Sequence, residues 1–129
     1  MTRQSIFVVE DDAIIALRDC ELLTTSGYRV PYIFASGEEL LDHLERSDPP
    51  DLILMDVGLS GKIDGIETAR RVRTCSDVPI IFLSSYCDDQ RMARAQEISP
   101  DSYLVKPVVE TVLMGMIGAA LGMERAVPD

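Results

Sequence analysis

The sequence predicts an α/β domain built as a doubly wound open sheet, with five parallel strands and helices on both faces. Two observations predict it. Short apolar, β-branched runs alternate with longer amphipathic stretches, giving βα five times over in 129 residues. The short runs are apolar throughout, as strands buried on both faces require, and lack the alternation of a half-exposed sheet. No linker, low-complexity tract or repeat interrupts the pattern, so residues 1–129 are expected to form one domain. At this length folding hides roughly two-thirds of the unfolded surface, enough for one core without staples.

Ile6-Phe-Val-Val9 is the first strand. A helix follows from about Ala13 to Thr25, closed by Ser26-Gly27, because glycine takes up the left-handed backbone of a helix end without strain. Tyr28 to Ala35 reads as a second strand, broken or at an edge, since Pro31 has no N–H for a ladder. Ser36 and Glu39 have the capping-box spacing, which starts a helix running to about Glu45. Asp48-Pro-Pro50 stops it, and Leu52 to Met55 is the third strand. After a glycine-rich loop, Ile63 to about Thr74 is a helix with arginines on its outer side. Val78-Pro79 introduces the fourth strand, Ile80 to Leu83. Asp88 to Ile98 is helical, Tyr103 to Val105 is a short fifth strand, and Val108 to about Met123 is the last helix.

Composition excludes several functions. Twelve Lys and Arg against 22 Asp and Glu leave a net charge of −10, unsuited to a phosphate backbone or an anionic membrane surface. The same surplus suits a metal ion or another cationic partner. Cys20, Cys75 and Cys87 are an odd number with no CxxC spacing, which speaks against a disulfide framework or zinc site and for a reducing, cytoplasmic setting. Residues Met1 to Ser5 lack the apolar core of a signal peptide. The longest uncharged apolar run, Thr111 to Met123, is shorter than the roughly 20 residues of a membrane span.

Ligands of open parallel sheets bind beyond the carboxyl ends of the strands, near the reversal in strand order. There the chain carries Glu10-Asp11-Asp12, Asp56, Ser84-Ser85 and Lys106. Gathering Asp11 and Asp56 without a counter-charge would raise a carboxylate pKa. Carboxylates with backbone and water oxygens are what Mg²⁺ takes, with positions left open for phosphate. A single strand-end acid more often caps the next helix, and Asp12 is read that way. Acids on two strands, joined by a serine and a lysine, point to a site.

Val8-Val-Glu-Asp-Asp12, Leu52-Ile-Leu-Met-Asp56, Pro79-Ile-Ile-Phe-Leu-Ser-Ser85 and Tyr103-Leu-Val-Lys-Pro107 resemble the response-regulator receiver domain of two-component signalling. The likeness runs from about Ile6 to Leu121. Each motif is weak alone, but four stand in order, at steps of 45 (Asp11 to Asp56), 28 (to Ser84) and 22 (to Lys106). The resemblance implies a flavodoxin-like sheet in the order 2-1-3-4-5. It implies that Asp56 accepts a phosphoryl group from a sensor histidine kinase or a histidine phosphotransfer protein. Glu10, Asp11, Asp56 and the Gly58 carbonyl would hold Mg²⁺, with Glu10 acting through water. Lys106 would meet a phosphoryl oxygen, and Lys106-Pro107 would be a cis peptide. Ser84 and Tyr103 would form the switch that carries the state of Asp56 to a downstream protein target.

Two stretches depart from the family. The loop Val57-Gly-Leu-Ser-Gly-Lys-Ile-Asp-Gly65 has Ser60 where proline is common, and Asp64-Gly65 comes one residue late, a shift Gly61 could absorb. Tyr86 stands where attacking water would enter and is expected to slow loss of the phosphoryl group. On the last helix Val109, Val112, Leu113, Met116 and Ala120 make the expected core face. Met114, Gly115, Gly118, Leu121 and Gly122 lie opposite, and Met114, Gly118 and Leu121 are the expected partner or homodimer surface.

Other functions fit less well. Phosphatases with an aspartate nucleophile and Mg²⁺ place a second acid two residues on, where this chain has Gly58, and no cap domain fits in 129 residues. Mononucleotide binders need a glycine-rich turn after the first strand, but Glu10-Asp11-Asp12 would repel phosphate there. His43 reads as an ordinary half-exposed residue. Nothing after the fifth helix except Glu124 to Asp129 could act as output, so the expectation is a stand-alone, non-enzymatic regulator, or a receiver excised from a hybrid kinase.

Overall fold

The computed structural model describes residues 3–85, 89–98 and 103–124. Five parallel strands form one sheet: β1 (Ile6–Val9), β2 (Ile33–Phe34), β3 (Leu52–Asp56), β4 (Ile80–Ser84) and β5 (Tyr103–Val105). Their order is β2-β1-β3-β4-β5, as expected for the flavodoxin-like arrangement. The helices are α1 (Ala13–Thr25), α2 (Gly37–Leu44), α3 (Gly65–Val72), α4 (Asp89–Ile98) and α5 (Glu110–Glu124).

Strand periodicity divides the core. Successive residues of a strand point to opposite faces, so Phe7, Val9, Ile53, Met55, Ile80 and Phe82 join one cluster with Leu40 and Ile66. Ile6, Val8, Leu52, Leu54, Ile81 and Leu83 join a second, with Leu23, Leu113, Ile117 and Leu121. Helices α2, α3 and α4 cover the first layer, and α1 and α5 cover the second.

The helix ends follow from capping chemistry. Asp12 Oδ1 accepts from the N–H of Ile14 (2.9 Å) and Ile15 (3.1 Å), so this acid caps α1. Gly27 lies at φ +100°, beyond the helix end. Ser36 Oγ accepts from Glu39 N–H at 3.2 Å. α3 starts two residues later than its apolar pattern suggested, because Asp64 is the cap and accepts from Glu67 N–H at 2.8 Å. Gly65 is obligatory here: its N–H donates to the Val57 carbonyl at 2.9 Å, and a Cβ would collide with the Asp56 backbone carbonyl.

The second strand is broken and lies at the sheet edge, as Pro31 implies, and one expectation, on α5, is corrected. Only Ile33 and Phe34 of the stretch from Tyr28 to Ala35 pair as a strand, against Val8 and Val9. Pro31 interrupts the ladder, and Arg29 makes an isolated bridge to Ser5. On α5 Leu113, Ile117 and Leu121, spaced by four, are buried, while Val112 and, just before the helix, Val109 are 47% and 60% exposed. Leu121 therefore belongs to the core and not to the expected partner surface. A wheel counts apolar residues equally, whereas packing selects the three longest aliphatic chains that line up. Met114 is half-buried against the same layer, and Gly118 is exposed. Tyr86 and Cys87 lie outside the described residues.

Candidate functional site

The sheet register brings the expected residues to one edge. Val57 N–H donates to the Leu83 carbonyl at 2.8 Å, which sets Asp56 beside the end of β4. Lys106 N–H donates to the Ser84 carbonyl at 2.7 Å, which sets the lysine beside the same end. β1 lies between β2 and β3, so the reversal of strand order opens a crevice over Glu10 and Asp56. A cavity of about 280 Å³ is lined by Glu10, Asp11, Asp12, Ile15, Asp56, Gly58, Ser84, Ser85 and Lys106.

Charge inside this cavity is dense. Carboxylate oxygens of Glu10, Asp11 and Asp56 lie within 4.8 Å of one another. Glu10 and Asp56 are buried, and Asp11 is exposed. The Lys106 ammonium reaches Glu10 Oε1 at 3.2 Å and Asp56 Oδ1 at 3.5 Å. Gly58 N–H donates to Asp56 Oδ1 at 3.3 Å, and Asp12 N–H donates to Glu10 Oε2 at 3.2 Å. Burial pushes the Glu10 carboxyl up to about 7; the Asp56 charge adds to this, and bonds from Asp12 N–H and Lys106 oppose it. Burial also works against the Lys106 ammonium, but the charges of Asp56 and Glu10 outweigh it and hold the group above its usual range. For Asp11 burial acts upward, while hydrogen bonds with Ser60 and Glu10 prevail and hold it low.

Three carboxylates with one ammonium between them form an oxygen-rich set suited to a hard divalent cation, so Glu10, Asp11 and Asp56 fit Mg²⁺. Lys106-Pro107 is cis, as the family likeness implied. Ser84 is buried at the cavity wall, and Tyr103 is half-buried with its ring 6.3 Å from that of Phe82.

Sequence reasoning missed three residues. Ser60 stands near enough to the Asp11 carboxyl to hold it below the usual carboxylate range. Glu38, in the first turn of α2, accepts from Lys62 N–H at 2.8 Å across 24 residues of chain. No sequence signal announces that contact. Asp19 lines a second cavity of about 550 Å³ behind the lysine, together with Arg18, Glu21, Lys106, Pro107 and Glu110. Burial pushes its carboxyl up to about 6, tempered by Lys106 and Arg18 and reinforced by Asp56. This one was legible: Ala16, Asp19 and Leu23 share spacings of three and four, the inner face of a helix.

A flavodoxin-like sheet with an acidic, lysine-bridged pocket at its reversal point defines a class of small α/β domains whose strand ends gather carboxylates around a buried aspartate. Residues 6–118 match the response regulator receiver domain, and the chain belongs to that family. It is 43% identical over 117 residues to the transcriptional regulatory protein AfsQ1 of Streptomyces coelicolor, covering 91% of this chain and 51% of that protein. It is 29% identical over 122 residues to the transcriptional regulatory protein PdtaR of Mycobacterium tuberculosis, covering 95% and 58%. The chain thus spans about half the length of the curated relatives it matches. Among solved structures, the signal receiver domain of a modulated diguanylate cyclase from Desulfovibrio desulfuricans superposes with a TM-score of 0.86. The two are 33% identical, over 97% of this chain and 98% of that one. The N-terminal domain of a response regulator/sensory box/GGDEF protein from Carboxydothermus hydrogenoformans superposes with a TM-score of 0.85 at 29% identity, over 95% and 98%. Among the described residues no helix is long and apolar enough to cross a membrane.

Proposed function

We propose that the chain is a phosphoacceptor switch in which Asp56 takes a phosphoryl group from a phosphohistidine of a sensor kinase or phosphotransfer protein. The observation that carries this reading is the Lys106 ammonium held between Glu10 and Asp56 inside a pocket of three carboxylates. An Asp56 oxygen forms a P–O bond as the P–N bond of the donor breaks. The imidazole nitrogen leaves with the bonding pair and takes a proton from solvent. Such transfer needs positioning and charge neutralisation more than covalent chemistry from the protein. Glu10, Asp11, Asp56 and the Gly58 carbonyl would hold Mg²⁺, which supplies positive charge between the carboxylates and the phosphoryl oxygens when bound.

Lys106 serves as a compact point charge for one phosphoryl oxygen. The Ser84 hydroxyl donates to another, and Tyr103 follows it inward, changing the face that a downstream target reads. Ile14 and Leu17 are 71% and 64% exposed on α1, beside Ile15 that lines the pocket, and offer apolar contact to the donor protein. A homodimer through α5 would use Val112, Gly115 and Gly118, because Leu121 is committed to the core. Incubation with acetyl phosphate and Mg²⁺ should give Mg²⁺-dependent labelling, detected by intact mass, that is lost in Asp56→Asn. Labelling that persists in Asp56→Asn would overturn the assignment.

A further inference from the structure

The arginines at the end of α3 are used in two ways. Arg70 and Arg71 pair with Glu67 on the solvent side of the helix. Arg73, the residue that closes α3, is half-buried, and its guanidinium meets main-chain carbonyls instead. Nη1 donates to the Val78 carbonyl at 2.6 Å and to the Ser76 carbonyl at 3.4 Å, and Nε donates to the Ile98 carbonyl at 3.3 Å. Ser76 and Val78 belong to the turn before β4, whereas Ile98 is the last residue of α4. Carbonyls at a helix C-terminus have no partner within the helix, and a cation there also meets the negative end of the helix dipole. Burial pushes the guanidinium below its usual range, against the charge of Asp77, and the carbonyls take the place of the water it has lost.

The packing of α4 is weighted to the same end. Ala95 is fully buried and Ile98 packs on the same core cluster, both in the last turn. Gln90, Ala93 and Arg94, nearer the start, are exposed. The helix begins at Asp89, soon after Ser84 in the chain, and Ser84 lines the pocket of Asp56. Val78 stands at the other end of β4, six residues of strand or roughly 20 Å from Ser84. We infer that Arg73 is the pivot of α4: its guanidinium holds the last turn of the helix to the foot of β4, so that a change of state in the pocket moves the first turn and leaves the last in place. Lysine cannot do the same, because a single ammonium lacks the planar fork that reaches carbonyls of two elements at once.

The inference rests on the reading of Asp56 as a phosphoacceptor, and the test separates the two. Amide NMR of the full chain, with Mg²⁺ alone and with Mg²⁺ and beryllofluoride as phosphoryl mimic, reads both ends of α4. It is applied to the parent, Arg73→Met and Arg73→Lys, with hydrogen exchange and thermal melting of each. In the parent the mimic should shift the amide signals of residues 89–93 and leave those of 95–98 in place. Arg73→Met keeps the apolar stem and loses the fork, so exchange at 95–98 should quicken about tenfold, and the mimic should then shift both ends. Arg73→Lys keeps stem and charge; it should also lose the difference between the ends, and it decides the matter if Arg73→Met does not fold. A purely structural arginine would quicken exchange without extending the reach of the mimic, so an unchanged difference between the ends in the variants would overturn the pivot. A parent in which the mimic shifts both ends alike would do the same. Labelling of Asp56 by acetyl phosphate is followed by intact mass in parallel. Labelling without any shift in α4 would overturn the pivot alone, whereas a parent that takes no label would overturn the phosphoacceptor reading and the pivot with it.

Discussion

Asp19→Asn should stabilise the protein, and by an amount that grows with pH. The carboxyl sits on the inner side of α1, half-buried in the second cavity, with Arg18, Glu21, Lys106 and Glu110 around it. Burial raises its pKa from 3.8 to about 6. A carboxyl whose pKa rises on folding favours the protonated form in the native state. Its penalty is therefore absent below the unfolded pKa and fully present above the folded one. Two units at about 1.36 kcal/mol each set a ceiling near 3 kcal/mol, and solvent reaching a half-buried site reduces this to about 1–2 kcal/mol. Asparagine has the shape of the neutral acid and carries no such penalty. Urea unfolding at pH 5 and pH 8 should show a gain at both, larger at pH 8 by about 1 kcal/mol. Thermal melting should show about 4 °C more at the higher pH for each such kcal/mol. An equal gain at the two values, or a loss at pH 8, would mean that the charged form is fully compensated by Lys106 and Arg18, and the burial argument would fail.

Two further substitutions probe the core and the pocket. Ile117→Ala removes a fully buried side chain of α5 and should lower stability by about 2–5 kcal/mol, whereas Val112→Ala, 47% exposed, should change it by less than about 0.5 kcal/mol. Comparable losses would return Val112 to the core. Lys106→Gln leaves Glu10 and Asp56 facing each other without their cation, and in Mg²⁺-free buffer at pH 8 should cost about 1–3 kcal/mol. The loss should shrink at pH 6, below the value near 7 to which Glu10 is pushed, because a proton can then replace the ammonium. Equal losses at both pH values would show that Glu10 stays charged throughout.

Features written in neighbouring residues were legible in advance. Short β-branched apolar runs such as Ile6–Val9 and Ile80–Leu83, bounded by turn signals, read as strands of a two-sided sheet, and acids at the ends of two such runs meet at its edge. α1 begins and ends where Asp12 and Ser26-Gly27 place it, since capping is a local contest for backbone N–H and C=O groups. Features set by tertiary contact were not legible. Leu121 and Val112 look alike on a wheel, and only the sheet's second layer decides which is covered. Glu38 and Lys62 are ordinary surface charges until the chain folds them together. Ser60 and Asp11 stand 49 residues apart, and only the pairing of β1 and β3 brings the serine close enough to hold that carboxyl low.

The division of the core into two layers has a consequence for how such a chain can vary. Each strand sends neighbouring residues to opposite clusters, so a substitution in one layer alters volumes only on its own side. Coupling between mutations should be strong within a layer and weak across the sheet. The helices of one side can then accumulate changes while those of the other stay fixed. A single inserted residue within a strand, by contrast, would exchange the two inventories at once. Within the strands of this architecture, replacement is cheap and a change of length is not.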